Sequence, residues 1–323
     1  MLSLLFCSPL AFFVLCVLTF PATILFFLPF PQGDLGSQSL QLLTSGRLRL
    51  WHMLIAVQPM LWVASLLIVS HDLKRSRSAW PGTWRERTVV VLCTLLLATL
   101  TTFPVLATNR APSSPLTPDL DALLQLPDFR TRALILGLLY AGAVTLHTFG
   151  MFTVHVQLIG RLRRSPSHED APEAVELEEE VSWYLRLRSQ LERFFSLTAT
   201  IIGTASLSVG AFRNLLNELR ASPSEAMPAS LVLVHGIYFS LLLALVYLPA
   251  HKTLSDVGQR LTDRLVRQSI GAGTTWQSWS QEQQAVRAYL GLQSTALLEF
   301  QKGITVLAPL VASLSSLLLG SQG

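Results

Sequence analysis

Seven long runs without Asp, Glu, Lys or Arg constrain this chain more than anything else in it: 4–30, 50–70, 88–108, 133–160, 194–212, 229–250 and 303–319. A helix needs about 20 apolar residues to cross a hydrocarbon core roughly 30 Å thick. The last run, at 17 residues, is borderline for spanning. Charged residues make up 14% of the chain, against roughly 25% in a typical soluble domain. They fall between the apolar runs rather than within them. The pattern predicts an all-α, polytopic membrane helix bundle with six or seven transmembrane helices, not a soluble enzyme with a large core.

The loops carry the orientation. From the first loop to the sixth, Lys and Arg number 2, 5, 3, 6, 2 and 6, so the even loops hold 17 and the odd loops 7. Positive charge marks the cytoplasmic side. The N-terminus and the even loops are therefore expected inside. If 303–319 crosses, there are seven spans and the C-terminus lies outside. The formal net charge of +4 follows from these basic flanks and is no nucleic-acid footprint. Lys74, Lys252 and Lys302 are the only lysines. Such reliance on Arg leans towards a GC-rich bacterial genome, and so towards a bacterial inner membrane.

The first run has a signal peptide as its rival. It lacks a basic n-region and is too long for an h-region, so it reads as a retained span. Pro9 and Pro21 lie within it as candidate kinks. Trp51 and Trp62 suit membrane interfaces. The segment LDALLQL at 120–126, preceded by Thr117-Pro118, predicts a short surface helix. Cys7, Cys16 and Cys93 lie in apolar runs without a CxxC, so they read as small hydrophobes.

The 194–212 run, FFSLTATIIGTASLSVGAF, is unusual for a span. Its small residues suit close helix packing, and its hydroxyls suit the wall of a water-filled path. The pairs Ala199/Gly203 and Ser206/Gly210 have small-xxx-small spacing. Thr200, Thr204 and Ser208 repeat every four residues along one stripe. Ahead of this run, EAVELEEEVSWYLRLRSQLERFF begins acidic and ends basic, as a helix dipole favours. Val181, Tyr184, Leu185, Arg188, Leu191 and Phe195 follow a helical period, so this helix is expected to continue into the fifth span. A polar loop is expected after Phe212. Beyond the sixth span, Leu254, Val257, Leu261 and Leu265 form an apolar stripe. Asp256–Arg260 and Asp263–Arg267 have the spacing of helical ion pairs. Ser280 and Gln283 match a capping box, opening a helix through Val286, Tyr289, Leu290, Leu297 and Phe300.

The expected division is thus a four-span region over 1–160, a charged linker and helix over 161–193, two spans over 194–250, amphipathic helices over 251–302 and a terminal apolar span over 303–323. The three charged segments together form a small intracellular layer.

Chemistry is sparse. Charges inside spans mark proton relays and voltage sensors, and the span cores hold none. A passive pore lined by hydroxyls and carbonyls remains compatible with that. His147, His155 and His235 lie in spans at unequal depths, which suits packing or interhelical hydrogen bonds better than bis-histidine haem. The acidic triplet Glu178, Glu179 and Glu180 fails the EExxxR spacing of intramembrane proteases, because Tyr184 and Leu185 stand where Arg would be needed. GxSxG, HExxH, P-loop and GxGxxG patterns are absent, which leaves no catalytic constellation.

The reading that follows is a non-enzymatic, oligomeric channel for ion transport, gated by its cytoplasmic helices, without cofactor or metal. Thr200, Gly203, Thr204, Ser208 and Gly210 are the pore-lining or packing candidates. The alternative is a signalling or scaffold protein that docks a soluble cytoplasmic partner through Glu176, Glu178, Glu179 and Glu180. The expected partners are the lipid bilayer, further copies of the chain and possible soluble protein, with no nucleic acid.

Overall fold

The computed structural model describes residues 9–28, 45–75, 83–110, 120, 124, 126–164, 174–219, 226–269, 275–292 and 303–320. Among them the regular structure is helical, with no strand. The helices are α1 (Pro9–Phe26), α2 (Gly46–Arg75), α3 (Trp84–Arg110), α4 (Phe129–Arg164), α5 (Ala174–Leu219), α6 (Ala229–Ser269), α7 (Trp276–Tyr289) and α8 (Ala308–Gly320). Helices α2 to α6 are each long and apolar enough to cross a membrane. The apolar parts of α1 and α8, Phe13–Phe26 and Ala308–Leu318, are shorter.

The side-chain bonds sort the helix ends into two faces. At one, Arg193 of α5 donates to Asp72 of α2 (2.6 Å), Arg260 of α6 donates to the Leu162 carbonyl of α4 (3.3 Å), and Glu180 of α5 bridges α4 and α6. At the other, His52 of α2 meets the Phe27 carbonyl (3.0 Å), Arg132 of α4 donates to the Phe26 carbonyl (2.6 Å), and Arg47 of α2 pairs with Glu218 of α5 (3.6 Å). The helix ends bordering even loops thus meet at one face and those bordering odd loops at the opposite one. The first is called the basic face below.

Helix α5 is the hub. It packs against α2, α4, α6 and α8. Its 46 residues span about 69 Å at 1.5 Å per residue. The 41 residues of α6 span about 62 Å. Both far exceed a hydrocarbon core, so they run unbroken from the bundle into a layer beyond the basic face. The expected continuity of the charged helix into the fifth span is seen directly.

That layer is held by an apolar seam. Leu177, Val181, Tyr184, Leu187, Leu191 and Phe194 of α5 are buried with Leu254, Val257 and Leu261 of α6. Their three- and four-residue spacings keep one face of each helix turned to the other. Phe195 and Tyr247 stack at 3.7 Å where the seam enters the bundle. At the opposite face, Phe27, Trp51, Phe129 and Phe212 form an aromatic cluster, with Phe129 and Phe212 stacked at 5.4 Å.

Several expectations change. Trp51 and Trp62 are buried inside the bundle, not set at its lipid interfaces, because rings on α4 or α5 cover them. The polar loop placed after Phe212 is still helix to Leu219. Leu215 and Leu216 are fully buried there, and Arg213 donates to the Met227 carbonyl (2.8 Å), which satisfies its guanidinium at a helix end. The expected Asp256–Arg260 pair gives way to the bond from Arg260 to Leu162. Most of LDALLQL lies outside the described residues, but Leu124 and Leu126 are buried, so their side chains are core rather than surface. Cys16 is buried and Cys93 half-buried, while Cys7 lies outside the described residues.

The capping signals also move. Helix α7 starts at Trp276 with Thr275 as its cap, accepting from Ser278 N, so Ser280 is already inside the helix. A reciprocal capping box opens α3 instead: Glu86 N donates to Thr83 Oγ1 (3.3 Å), and Thr83 N donates to Glu86 Oε2 (3.4 Å). Helix α7 also ends early, at Tyr289, leaving Leu297 and Phe300 outside the described residues. The stop is a Schellman motif, with Leu292 N bonded to Arg287 O and Gly291 N to Ala288 O. Gly291 sits at φ +66°, and the Arg188 guanidinium fills the space a Cβ there would take. Arg188 also donates to the Leu290 carbonyl, capping α7 from α5 (2.5 Å). Gly291→Ala is expected to destabilise this junction by about 2 kcal/mol, from the left-handed backbone and the displaced arginine. Faster amide exchange in α7, with the rest unchanged, is the measurement.

Candidate functional site

The surface of the bundle is apolar where it would face lipid. Helix α3 exposes Leu92, Leu95 and Leu96, α6 exposes Leu241 and Leu245, and α8 exposes Val311, Leu314 and Leu318. A soluble protein rarely leaves so large an apolar surface open. This is a multi-pass membrane protein.

Helix α5 departs from that surface over part of its span. Between 194 and 212 its exposed residues are Ser196, Thr200 and Val209, with Leu197, Thr204, Leu207 and Phe212 half-buried. The five small-residue candidates do not share one face. Thr200 is exposed and Thr204 half-buried, whereas Gly203, Ser208 and Gly210 are buried. Four-residue steps advance about 40° around a helix, so a stripe that starts outward at Thr200 has turned into the bundle by Ser208. The hydroxyls bond their own backbone: Thr200 Oγ1 to Ser196 O (2.9 Å), and Thr204 Oγ1 to Thr200 O (2.9 Å) and Ile201 O (3.0 Å).

The glycines pack against α8. A Cβ at Gly203 would lie 3.9 Å from the Ala308 carbonyl oxygen, and one at Gly210 would meet the Ser316 side chain. Asn214 Nδ2 donates to Ser316 O (2.9 Å). Helix α8 therefore runs parallel to α5, from the level of Gly203 to that of Asn214. The small residues of α8 itself complete the fit, with Ser313 and Ser316 buried and bonded to Pro309 O and Ser313 O.

The acidic candidates separate as well. Glu178 and Glu179 are exposed. The side chain of Glu176 lies outside the described residues. Glu180 is an internal clamp: one oxygen takes Arg161 Nε of α4 (3.1 Å) and the other takes Arg264 Nη1 of α6 (3.2 Å). Sequence spacing did not reveal this clamp, because its arginines lie 19 and 84 residues away. A run of three glutamates looks uniform, and only one of them faces the seam.

The histidines do not converge. Tyr140 of α4 and Phe239 of α6 lie at one level, with ring centroids 5.9 Å apart. His147 is seven residues beyond Tyr140, and His235 four residues before Phe239, so along the bundle they stand about 16 Å apart. His147 Nδ1 donates to Ala143 O of its own helix (2.6 Å) rather than to a neighbouring helix. Among the described residues, no three of His, Cys, Asp and Glu gather as a metal site. No protein-family model, curated protein or solved structure matches this chain.

Proposed function

We propose that this protein is a non-enzymatic, oligomeric channel whose copies meet along the outer strip of α5. The observation that carries the reading is the strip of three hydroxyls in four-residue register, Ser196, Thr200 and Thr204, on the outer side of α5, where α3 sets a lone exposed Thr99 among exposed leucines. Lipid gains nothing from hydroxyls, whereas a pore shared between copies needs them. The gate follows from continuity: α5 is one helix, with no proline inside it, that joins the bundle to the layer beyond the basic face. A rotation in that layer is carried to Thr200 without a hinge. By the positive-inside rule this layer is cytoplasmic, and the preference for Arg points to a bacterial inner membrane.

Within this reading Thr200 and Thr204 line the path, and Gly203, Ser208 and Gly210 hold α5 to its own bundle. Thr200→Leu is expected to lower single-channel conductance in a reconstituted bilayer by roughly tenfold through local dewetting, without altering assembly. Unchanged current through the variant would sink the reading. The exposed Glu178 and Glu179 favour a second reading, a platform that docks a basic soluble partner. It becomes the better one if the purified protein is monomeric and passes no ions.

A further inference from the structure

Among the described residues, seven buried side-chain polar atoms have no hydrogen-bond partner, and four of them belong to α4. All lie on helices apolar enough to span a membrane. Hydrocarbon and packed side chains offer such atoms nothing, and leaving them unmet is unfavourable. Native interiors satisfy most buried polar groups with protein or bound water.

Three of these atoms belong to rings on α2, α4 and α6 around one place, which Ser206 of α5 adjoins through its chain neighbour Ala205. The rings of Trp62 and Tyr140 lie 6.1 Å apart, those of Tyr140 and Phe239 5.9 Å, and those of Phe239 and His235 4.6 Å. Ala205 belongs to the same buried cluster, and Ser206 next to it is fully buried. Along α4, His147 follows Tyr140 by seven residues, so the two share a face about 10 Å apart. The unpartnered atoms are Trp62 Nε1, Tyr140 Oη, Ser206 Oγ, His235 Nε2 and His147 Nε2.

Their chemistry selects the ligand. The indole nitrogen of Trp62 only donates. His147 uses Nδ1 as its donor to Ala143, so in the neutral ring Nε2 only accepts. Tyr140 and Ser206 do both. A bound cation would leave the donors unserved, and an anion the acceptors. No charged side chain lies in the span cores to balance either. Water donates and accepts, and it needs two to four polar partners.

We infer that this bundle holds bound water in its membrane interior, in a site formed by Trp62, Tyr140, Ser206 and His235 that continues along α4 to His147. The site lies inside one copy of the chain and is separate from the exposed strip of α5, so it stands or falls independently of the channel reading.

The sign of a stability change tests it. Deleting a hydroxyl that bonds water removes a favourable interaction, whereas deleting a dry, unmet one relieves a penalty. Tyr140→Phe and Ser206→Ala are made in the full chain and melted in lipid nanodiscs. Tyr238→Phe is the reference, because its hydroxyl has a partner, the Leu100 carbonyl at 2.7 Å. Each of the three is expected to lower the unfolding midpoint by about 2–4 °C. A midpoint raised or unchanged for either Tyr140→Phe or Ser206→Ala, while Tyr238→Phe falls, overturns the proposal.

Discussion

Gly236→Ala is expected to loosen α8 from the bundle and to lower stability by about 2–3 kcal/mol, the upper part of the range for overpacking. The added methyl would lie 2.9 Å from the Pro309 carbonyl oxygen and 2.9 Å from Ser313 Cβ. Neither can swing aside. The first is backbone, and the Ser313 hydroxyl is tied to that same carbonyl at 2.9 Å. Relief therefore requires α6 and α8 to separate. Separation would also break the contact between Leu310 N and Ser240 Oγ at 3.3 Å. Gly142→Ala is the control, because a Cβ there meets nothing within 4 Å. It should be neutral or slightly stabilising, as alanine is the better helix former. Thermal unfolding of both variants in one detergent decides the matter. Equal midpoints would show that α8 does not depend on this contact.

Glu180→Lys should open the layer beyond the basic face while leaving the membrane part of the bundle intact. The native carboxylate is mostly buried and holds Arg161 and Arg264 on its two oxygens. Lysine would set a third cation between two guanidinium groups and remove the carboxylate they share. Breaking a buried ion pair costs about 3–5 kcal/mol. The arginines here are partly exposed, at 43% and 31%, so screening reduces the expected loss to about 2–3 kcal/mol. Amide exchange should speed up between 177 and 191 of α5 and between 254 and 266 of α6. Protection around Ile201 and Ile202 should persist. Adding Arg264→Glu restores an opposite-charge pair and should recover part of the protection. An exchange pattern identical to the native one would mean that the apolar seam alone holds the layer.

The same clamp changes how the docking alternative is examined. Reversing all the glutamates between 176 and 180 would disturb the fold through Glu180. Only Glu178 and Glu179, which are exposed, can report a partner without that confusion.

Much of the architecture was legible because it rests on composition and period. Five of the charge-free runs marked helices long enough to span, and loop arginines marked alternating ends that the side-chain bonds of Asp72, Arg193, Arg47 and Glu218 now join. The heptad-like stripes of α5 and α6 were visible as Val181, Tyr184 and Leu191 and as Leu254, Val257 and Leu261. Helix termini were less legible. Ser280 with Gln283 carries a capping pattern yet lies inside α7, because Thr275 already satisfies the first turn. Thr83 with Glu86 was hidden among loop arginines. Capping depends on backbone angles that a short pattern does not specify.

Covalent chemistry alone decided that this chain enters a membrane. Runs of that length and polarity have a favourable place only in hydrocarbon, whatever their neighbours. Sequence also decided that α5 would be narrow and close-packing, since Gly203, Ala205, Ser206 and Gly210 leave little side chain. Only the tertiary structure decided which helix fills the room left by Gly203 and Gly210. That helix is α8, and its choice turned Gly203 and Gly210 inward and left Thr200 outside. It likewise decided that Glu180 is a clamp while Glu178 and Glu179 remain free of the seam. Small residues and like charges carry no directional preference of their own. Their roles were set by whichever surfaces the long helices brought against them.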